Sequence, residues 1–333
     1  MNSIFKTQSI NRNESQWEKH LFDLTPVEQI GDIYFKREDK FAPLGFHSIN
    51  GSKLRQCIWL VNKWVKERNI KGVISGSVVG SPQHPFISSI CKHYGIGCLI
   101  VTGSKNYIEH KNMFLANQMG AKFHVVKITY AKALQSICFS LKEKIPNHEV
   151  LETNITLDEK LNKPEDIEAF HKIGSIQVNN IPDNIETIII PCGSCNSVVS
   201  ILYGISQKRP KNLKNIVLVG IGNNGSKNLK YIPQRLTTIG KVIGENINKN
   251  FNYTFLNDLN KSGINMVHFD PNGEGFCAYQ DWMPFNYFGV DLHPRYEGKC
   301  FNYFQKNKEK LKDYWNENTL FWIVGNEPRH INL

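Results

Sequence analysis

Between Lys71 and Lys144 the chain alternates short apolar runs with segments of helical period, and this alternation limits the fold more than any other feature. Lys71-Gly72-Val73-Ile74-Ser75 reads as a buried strand, Ser81 to Tyr94 as a helix closed by Gly95, and Gly97 to Thr102 as the next strand. Lys111 to Met119 predicts a helix stopped by Gly120, Ala121 to Thr129 a strand, and Tyr130 to Lys144 a helix ending before Pro146. Strands separated by helices of this length pair in parallel, and a parallel sheet needs cover on both faces. The predicted class is therefore α/β.

The second half repeats the rhythm. Glu186-Thr187-Ile188-Ile189-Ile190 is a continuous apolar strand that runs into Pro191-Cys192-Gly193-Ser194-Cys195-Asn196-Ser197, and a helix from Val198 to Gln207 follows. A loop of small residues between a strand and a helix start points several N–H groups at one place, which suits a phosphate. Cys192 and Cys195 also have C-x-x-C spacing. No second such pair completes a zinc site, and the order of elements differs from that of a thioredoxin-like fold, so the anion cradle is the preferred reading.

Lys53 carries the chemical signal. A strand candidate, Asp32 to Asp39, precedes Ile49-Asn50-Gly51-Ser52-Lys53-Leu54-Arg55, and apolar residues then recur at Leu54, Cys57, Ile58, Val61 and Val65. That period places Lys53 in the first turn of a helix, where free N–H groups and the positive helix end disfavour an ammonium ion. An amine kept neutral is what a Schiff-base lysine requires. A solvated lysine at a polar helix start is the competing reading.

Composition narrows the class of protein. With 333 residues and 41% hydrophobic content the chain can fill the cores of about two domains. No apolar run approaches the roughly 20 residues of a membrane helix, and the segment from Met1 to Lys19 is polar and mixed, so a cytoplasmic protein without a membrane partner is expected. Eight cysteines without a paired framework imply reduced thiols. The net charge of +10, from 40 basic against 30 acidic residues, is spread out, with modest clusters at Lys208-Arg209-Pro210-Lys211 and around Lys306 to Lys310. Anionic substrates or a nucleic acid would each account for part of it.

Four segments together resemble pyridoxal-phosphate enzymes of the tryptophan-synthase-β type (fold type II), closest to 1-aminocyclopropane-1-carboxylate deaminase and D-cysteine desulfhydrase. They are Lys36-Arg37-Glu38-Asp39 with Asn50-Gly51-Ser52-Lys53-Leu54-Arg55; Gly80-Ser81-Pro82-Gln83; Gly193-Ser194-Cys195-Asn196-Ser197; and Tyr296-Glu297-Gly298-Lys299. The resemblance implies two domains, each a mostly parallel twisted sheet covered by helices: residues 1–52 and 165–333 as the larger, 53–164 as the smaller, with pyridoxal 5'-phosphate in the cleft between. Lys53 would hold the cofactor and move protons at the substrate. Gly193, Ser194, Cys195, Asn196 and Ser197 would hold its phosphate, and Glu297 would face its pyridine nitrogen. A carboxylate there favours a protonated ring and the deaminase side of the family. Ser81, Gln83 and His84 would bind substrate, and Ser81 and Tyr296 would join in the chemistry. Helix cap and core aromatic are the plain alternatives for those last two.

Departures from the family fall mostly in the substrate pocket. Pro82 stands where relatives carry an asparagine that bonds the cofactor's phenolic oxygen. Cys195 and Asn196 replace glycines, the loop from Asp270 to Phe276 offers no obvious second active-site tyrosine, and Val324-Gly325-Asn326-Glu327 closes a strand from Leu320. The expected protein is a pyridoxal-phosphate enzyme acting on a small amino acid, of deaminase or lyase type, giving ammonia and a 2-oxo acid. The alternatives are β-replacement, action on an amino acid attached to nucleic acid, and a non-catalytic binding relative. No metal is expected. Relatives of this type are commonly dimers, which makes a homodimer the expected assembly.

Overall fold

The computed structural model describes residues 17–44, 49–103, 106–159, 161–222, 228–256 and 263–325. Asn326 and Glu327 lie outside them. In chain order the elements are β1 (Val27–Ile30), β2 (Ile33–Arg37), α1 (Ser52–Arg68), β3 (Gly72–Gly76), α2 (Gln83–Tyr94), β4 (Gly97–Thr102), α3 (Lys111–Gln118), β5 (Lys122–Val125), α4 (Ala131–Lys144), β6 (His148–Leu151) and α5 (Pro164–Ser175). There follow β7 (Thr187–Cys192), α6 (Asn196–Lys208), β8 (Asn215–Gly220), α7 (Tyr231–Ile243), β9 (Phe251–Tyr253), β10 (Ile264–Phe269), β11 (Phe285–Tyr287), β12 (Val290–Leu292), α8 (Glu297–Lys306) and β13 (Thr319–Ile323).

These strands form two main sheets, and the α/β reading holds. One is seven-stranded in the order β1-β2-β13-β7-β8-β10-β9, parallel except for the β1–β2 pair; the other is four-stranded and parallel in the order β5-β4-β3-β6. β3, β7 and β13 are buried along their whole length, as strands covered on both faces must be. β5 stops at Val125, although the apolar run predicts a strand to Thr129. It is an edge strand whose only neighbour, β4, ends at Thr102, so residues beyond Val125 have little to pair with.

Each sheet has a point where the connections leave in opposite directions. From β3 the chain moves to β4 on one side and later returns to β6 on the other; β7 likewise sits between β8 and β13. A crevice opens at the carboxyl ends of strands at such a point. The two crevices face each other, because the Asn196 side chain after β7 donates to the Asn154 and Ile155 carbonyls after β6.

The conspicuous charged motif before α1 anchors that helix. Arg37 on β2 makes two hydrogen bonds to Asp39, from Nε at 2.9 Å and from an Nη at 2.7 Å, and a third bond to Glu28. Arg55, fully buried on α1, lies 3.7 Å from the buried Glu38 carboxylate, donates to the Leu21 carbonyl and stacks on Phe41. Lys36 is also buried, donating to the Thr25 carbonyl and Asn180 at 2.7 Å each, and burial pushes its amine down to about 7. The Glu38–Arg55 pair thus ties the end of β2 to the start of α1, while Lys36 ties β2 to Thr25 and Asn180.

Candidate active site

Gly51 sets how closely the start of α1 approaches the end of β13. Its φ is +105°, and a Cβ there would lie 2.6 Å from the Val324 carbonyl oxygen, so only glycine fits. The same carbonyl accepts from the Ser52 N–H at 2.8 Å and from its hydroxyl at 3.1 Å. Ser52 Oγ is also 3.0 Å from Ser197 Oγ in the loop after β7. On its other side Val324 donates its N–H to Glu297 Oε1 at 2.9 Å. Residues from three of the four sequence motifs thus meet around Val324.

Lys53 is the second residue of α1 and opens onto a small cleft that Ser81, Gln83, Asn154, Tyr279, Arg295 and Tyr296 help to line. Burial brings its amine down to about 8. The dominant cause is desolvation rather than the helix end on which the sequence argument relied. A fall of that size raises the neutral fraction near pH 7 by roughly two orders of magnitude.

Glu297 begins α8 and is fully buried. Its Oε1 has the Val324 N–H, but Oε2 has no partner among the described residues. Burial raises the carboxyl to about 8, although backbone N–H groups, that of Val324 among them, oppose the shift. A buried acid with a vacant oxygen is held neutral unless a donor reaches it. The sign for stability follows from which state keeps its proton. Between about 4.5 and 8 the folded state holds it and the unfolded chain has released it, so stability falls as pH rises through that window. Glu297→Gln is expected to abolish that decline, on the order of 3–5 kcal/mol by pH 8, in protein stripped of small molecules. Urea unfolding of both forms at pH 5 and pH 8 checks it; equal slopes would count against a buried, unpartnered Glu297.

The loop after β7 has the form of a cradle. The N–H groups of residues 193–197 find no acceptor among the described residues, and the space above Gly193 is open, the nearest atom to an added Cβ being 3.9 Å away. Cys195 holds the left-handed conformation, with φ +65°, that turns the chain into α6. Its thiol lies 3.3 Å from that of Cys192, both buried and both free. The Cys195 contact and burial push the Cys192 thiol well up, away from the thiolate that redox exchange needs. Asn196 differs from expectation: its side-chain amide faces the 154–156 segment, so only its backbone N–H is available to a phosphate.

Two of the three residues expected to hold substrate are otherwise engaged. His84 does not reach the cleft: it is fully buried, its Nε2 is 3.0 Å from the Val78 carbonyl, and burial lowers it to about 4. Gln83 borders the cleft, yet its amide nitrogen donates to Ser75, Leu151 and Glu152. Ser81 lies at the cleft, and its hydroxyl accepts the Gln83 N–H at 3.3 Å, one residue outside the N-cap position that Pro82 holds. The helix begins at Gln83 rather than Ser81, with Pro82 contributing no donor at all.

Tyr296 and Tyr279 both line the cleft, and burial raises the Tyr296 phenol above its ordinary value. A second tyrosine is therefore present, contrary to the sequence reading, which stopped at Phe276. Lys299 explains why Tyr279 reaches so far: its buried amine donates to the Ala278 and Tyr279 carbonyls at 2.6 and 2.7 Å, pinning that segment to α8. Arg295 was also missed, although it directly precedes the Tyr296-Glu297 motif, where a basic residue next to functional side chains is a usable signal. Among the described residues no helix is long and apolar enough to cross a membrane.

This arrangement suits pyridoxal phosphate at each of its ends. A half-buried amine of lowered pKa at Lys53 fits the aldehyde, the free N–H groups over Gly193 fit the phosphate, and the vacant Glu297 oxygen fits a protonated pyridine nitrogen.

Known proteins agree with that fit. No family model matches the chain. Among solved structures it is similar to an ACC deaminase homologue (TM-score 0.67, 18% identity, 92% of this chain and 90% of that one). It is also similar to O-ureido-L-serine synthase (TM-score 0.56, 12% identity, 93% of this chain and 90% of that one). Serine racemase from Dictyostelium discoideum shares the fold as well (TM-score 0.53, 15% identity, 92% and 93%). In sequence, 98% of the chain aligns at 36% identity with 87% of the O-seryl-dTMP PLP-dependent decarboxylase of Salmonella phage ViI. With that relationship across nearly its whole length and the architecture it shares with these structures, the chain belongs to the pyridoxal-phosphate-dependent enzymes of fold type II.

Proposed function

We propose that this protein decarboxylates a serine carried on a thymidylate nucleotide, with pyridoxal phosphate held by Lys53. The observation that carries the reading is the 36% identity to the phage ViI decarboxylase over 98% of the chain. It is the nucleic-acid-linked alternative from the sequence, joined to a different bond cleavage. In this reading residues 1–52 and 165–333 act as one body and 53–164 as the other, meeting at Lys53.

The cleft offers a physical reason to prefer loss of carbon dioxide to deamination. A carboxylate gripped by strong donors is stabilised in the ground state and resists leaving as a neutral molecule. Here the helix start that would grip it is poor in donors. Pro82 has no N–H, the Gln83 N–H is used by Ser81, and the Gln83 side-chain amide is bonded elsewhere. The cofactor, when bound, serves as the sink for the electron pair left on the α-carbon. Glu297 would keep the pyridine nitrogen protonated, and the N–H groups of residues 193–197 with the Ser194 and Ser197 hydroxyls would fix the phosphate. Lys53 would release the aldehyde to the substrate amine and then return a proton to the α-carbon. Ser81 and Tyr296 would border the reacting carbon, Tyr296 as a neutral hydrogen-bond donor because burial keeps its phenol protonated.

A substrate panel tests the assignment. Turnover of O-seryl-dTMP is expected to exceed that of free L-serine by at least about a hundredfold in kcat/KM, a difference of roughly 3 kcal/mol in transition-state binding. Equal use of the two, or use of free serine alone, would remove the nucleotide from the reading.

A further inference from the structure

Arg295 is a cation at the mouth of the cleft that no acid among the described residues neutralises. Its guanidinium takes part in no ion pair and no side-chain hydrogen bond among the described residues, and its Nε is buried without a partner. One Nη rests against Gly80, 2.7 Å from where a Cβ would stand, and the residue lines the cleft together with Ser81. Below it lies Trp282, whose ring centroid is 5.6 Å from the guanidinium carbon and which is 50% exposed. The surroundings are basic. Burial lowers the nearby His110 and His293, the latter to about 3, and the positive charge of Arg295 adds to both shifts, with Lys111 and Lys299 adding to that of His293. Asp281, the acid on the same segment, accepts the Ala278 N–H.

An unpaired guanidinium fork matches the oxygens of a phosphate, and an aromatic ring at its side offers a surface for a base. We propose that Arg295 receives the nucleotide phosphate of the substrate while Trp282 supports the pyrimidine, which makes this pair the determinant of nucleotide specificity. The inference rests on the thymidylate-linked substrate proposed above and assigns the residues that would recognise it. It would also let the cleft hold its substrate through the phosphate rather than through the leaving carboxylate.

Calorimetric binding of thymidine 5'-monophosphate and of thymidine to the holoenzyme tests this without turnover. The wild type is expected to bind the monophosphate at least tenfold more tightly than the nucleoside. Arg295→Gln should erase that preference, Arg295→Lys should recover part of it, and Trp282→Ala should weaken both ligands. Cofactor absorbance and melting temperature should be unchanged in Arg295→Gln, since the fork bonds to no other side chain. Two results would overturn the proposal: an unaltered preference for the monophosphate in Arg295→Gln, or a loss of activity toward free serine as large as toward O-seryl-dTMP, which would assign the fork to the α-carboxylate. Arg295-dependent binding of the monophosphate by an enzyme that releases no carbon dioxide would uphold this site while rejecting the decarboxylase reading.

Discussion

Lys53→Ala is expected to lose the visible absorbance of a covalently bound cofactor and to lower turnover by on the order of a thousandfold or more. The amine is asked to do two things, to hold the aldehyde and to move a proton, and removal of a positioned proton carrier alone costs about 10²–10⁴. Borohydride reduction followed by peptide mass spectrometry should find the cofactor on residue 53 in the wild type and nowhere in the variant. Because burial sets the amine near 8, capture of added pyridoxal phosphate by the cofactor-free protein should quicken about tenfold per pH unit up to about 8 and then level off. A variant that still holds the cofactor covalently would mean that another lysine is the anchor.

Arg55→Met is expected to cost about 3–5 kcal/mol of folding stability, the largest effect of any substitution away from the cleft. It strands the buried Glu38, whose Oε2 has no hydrogen bond and only the Arg55 guanidinium, 3.7 Å away, as ion-pair partner, and it removes the donor to the Leu21 carbonyl. Burial holds the Glu38 carboxyl above its ordinary value even with Arg55 present, so without Arg55 its proton is retained to higher pH still. A group whose folded pKa is raised loses stability as pH rises, and the deficit of the variant should therefore deepen between pH 5 and pH 8. Replacing both partners, as Glu38→Gln with Arg55→Met, should recover much of the loss. Denaturant unfolding at both pH values decides it; a loss under about 1 kcal/mol would mean that the pair is solvated.

How far the sequence could be read follows from what each signal depends on. The alternation of β3, α2, β4, α3 and α4 depends on period within a dozen residues, and the structure has these elements within a few residues of the predicted bounds. Lys53 falls in the first turn of α1 for the same local reason. Orientation across elements is not local. His84 follows Gln83 in the chain, but one turns to the Val78 carbonyl and the other toward β3, eight residues earlier, and β6, about 70 residues later. Asn196 reads as part of a phosphate loop because it sits beside Ser197, and only the 154–156 segment, brought up by β6, draws its amide away. Tyr279 was hidden because a lysine on α8, 20 residues further on, holds its backbone. The role of Val324 as the hub between Ser52 and Glu297 rests on β13 lying beside β7, which no local pattern contains.

The fate of the carboxyl carbon tests the central claim most directly. O-seryl-dTMP labelled with ¹³C in its carboxyl group, incubated with the holoenzyme, is expected to release labelled carbon dioxide and leave a nucleotide that keeps its amine and gains one solvent proton at the former α-carbon. Label retained in the organic product together with free ammonia would contradict it and assign the protein to deamination instead.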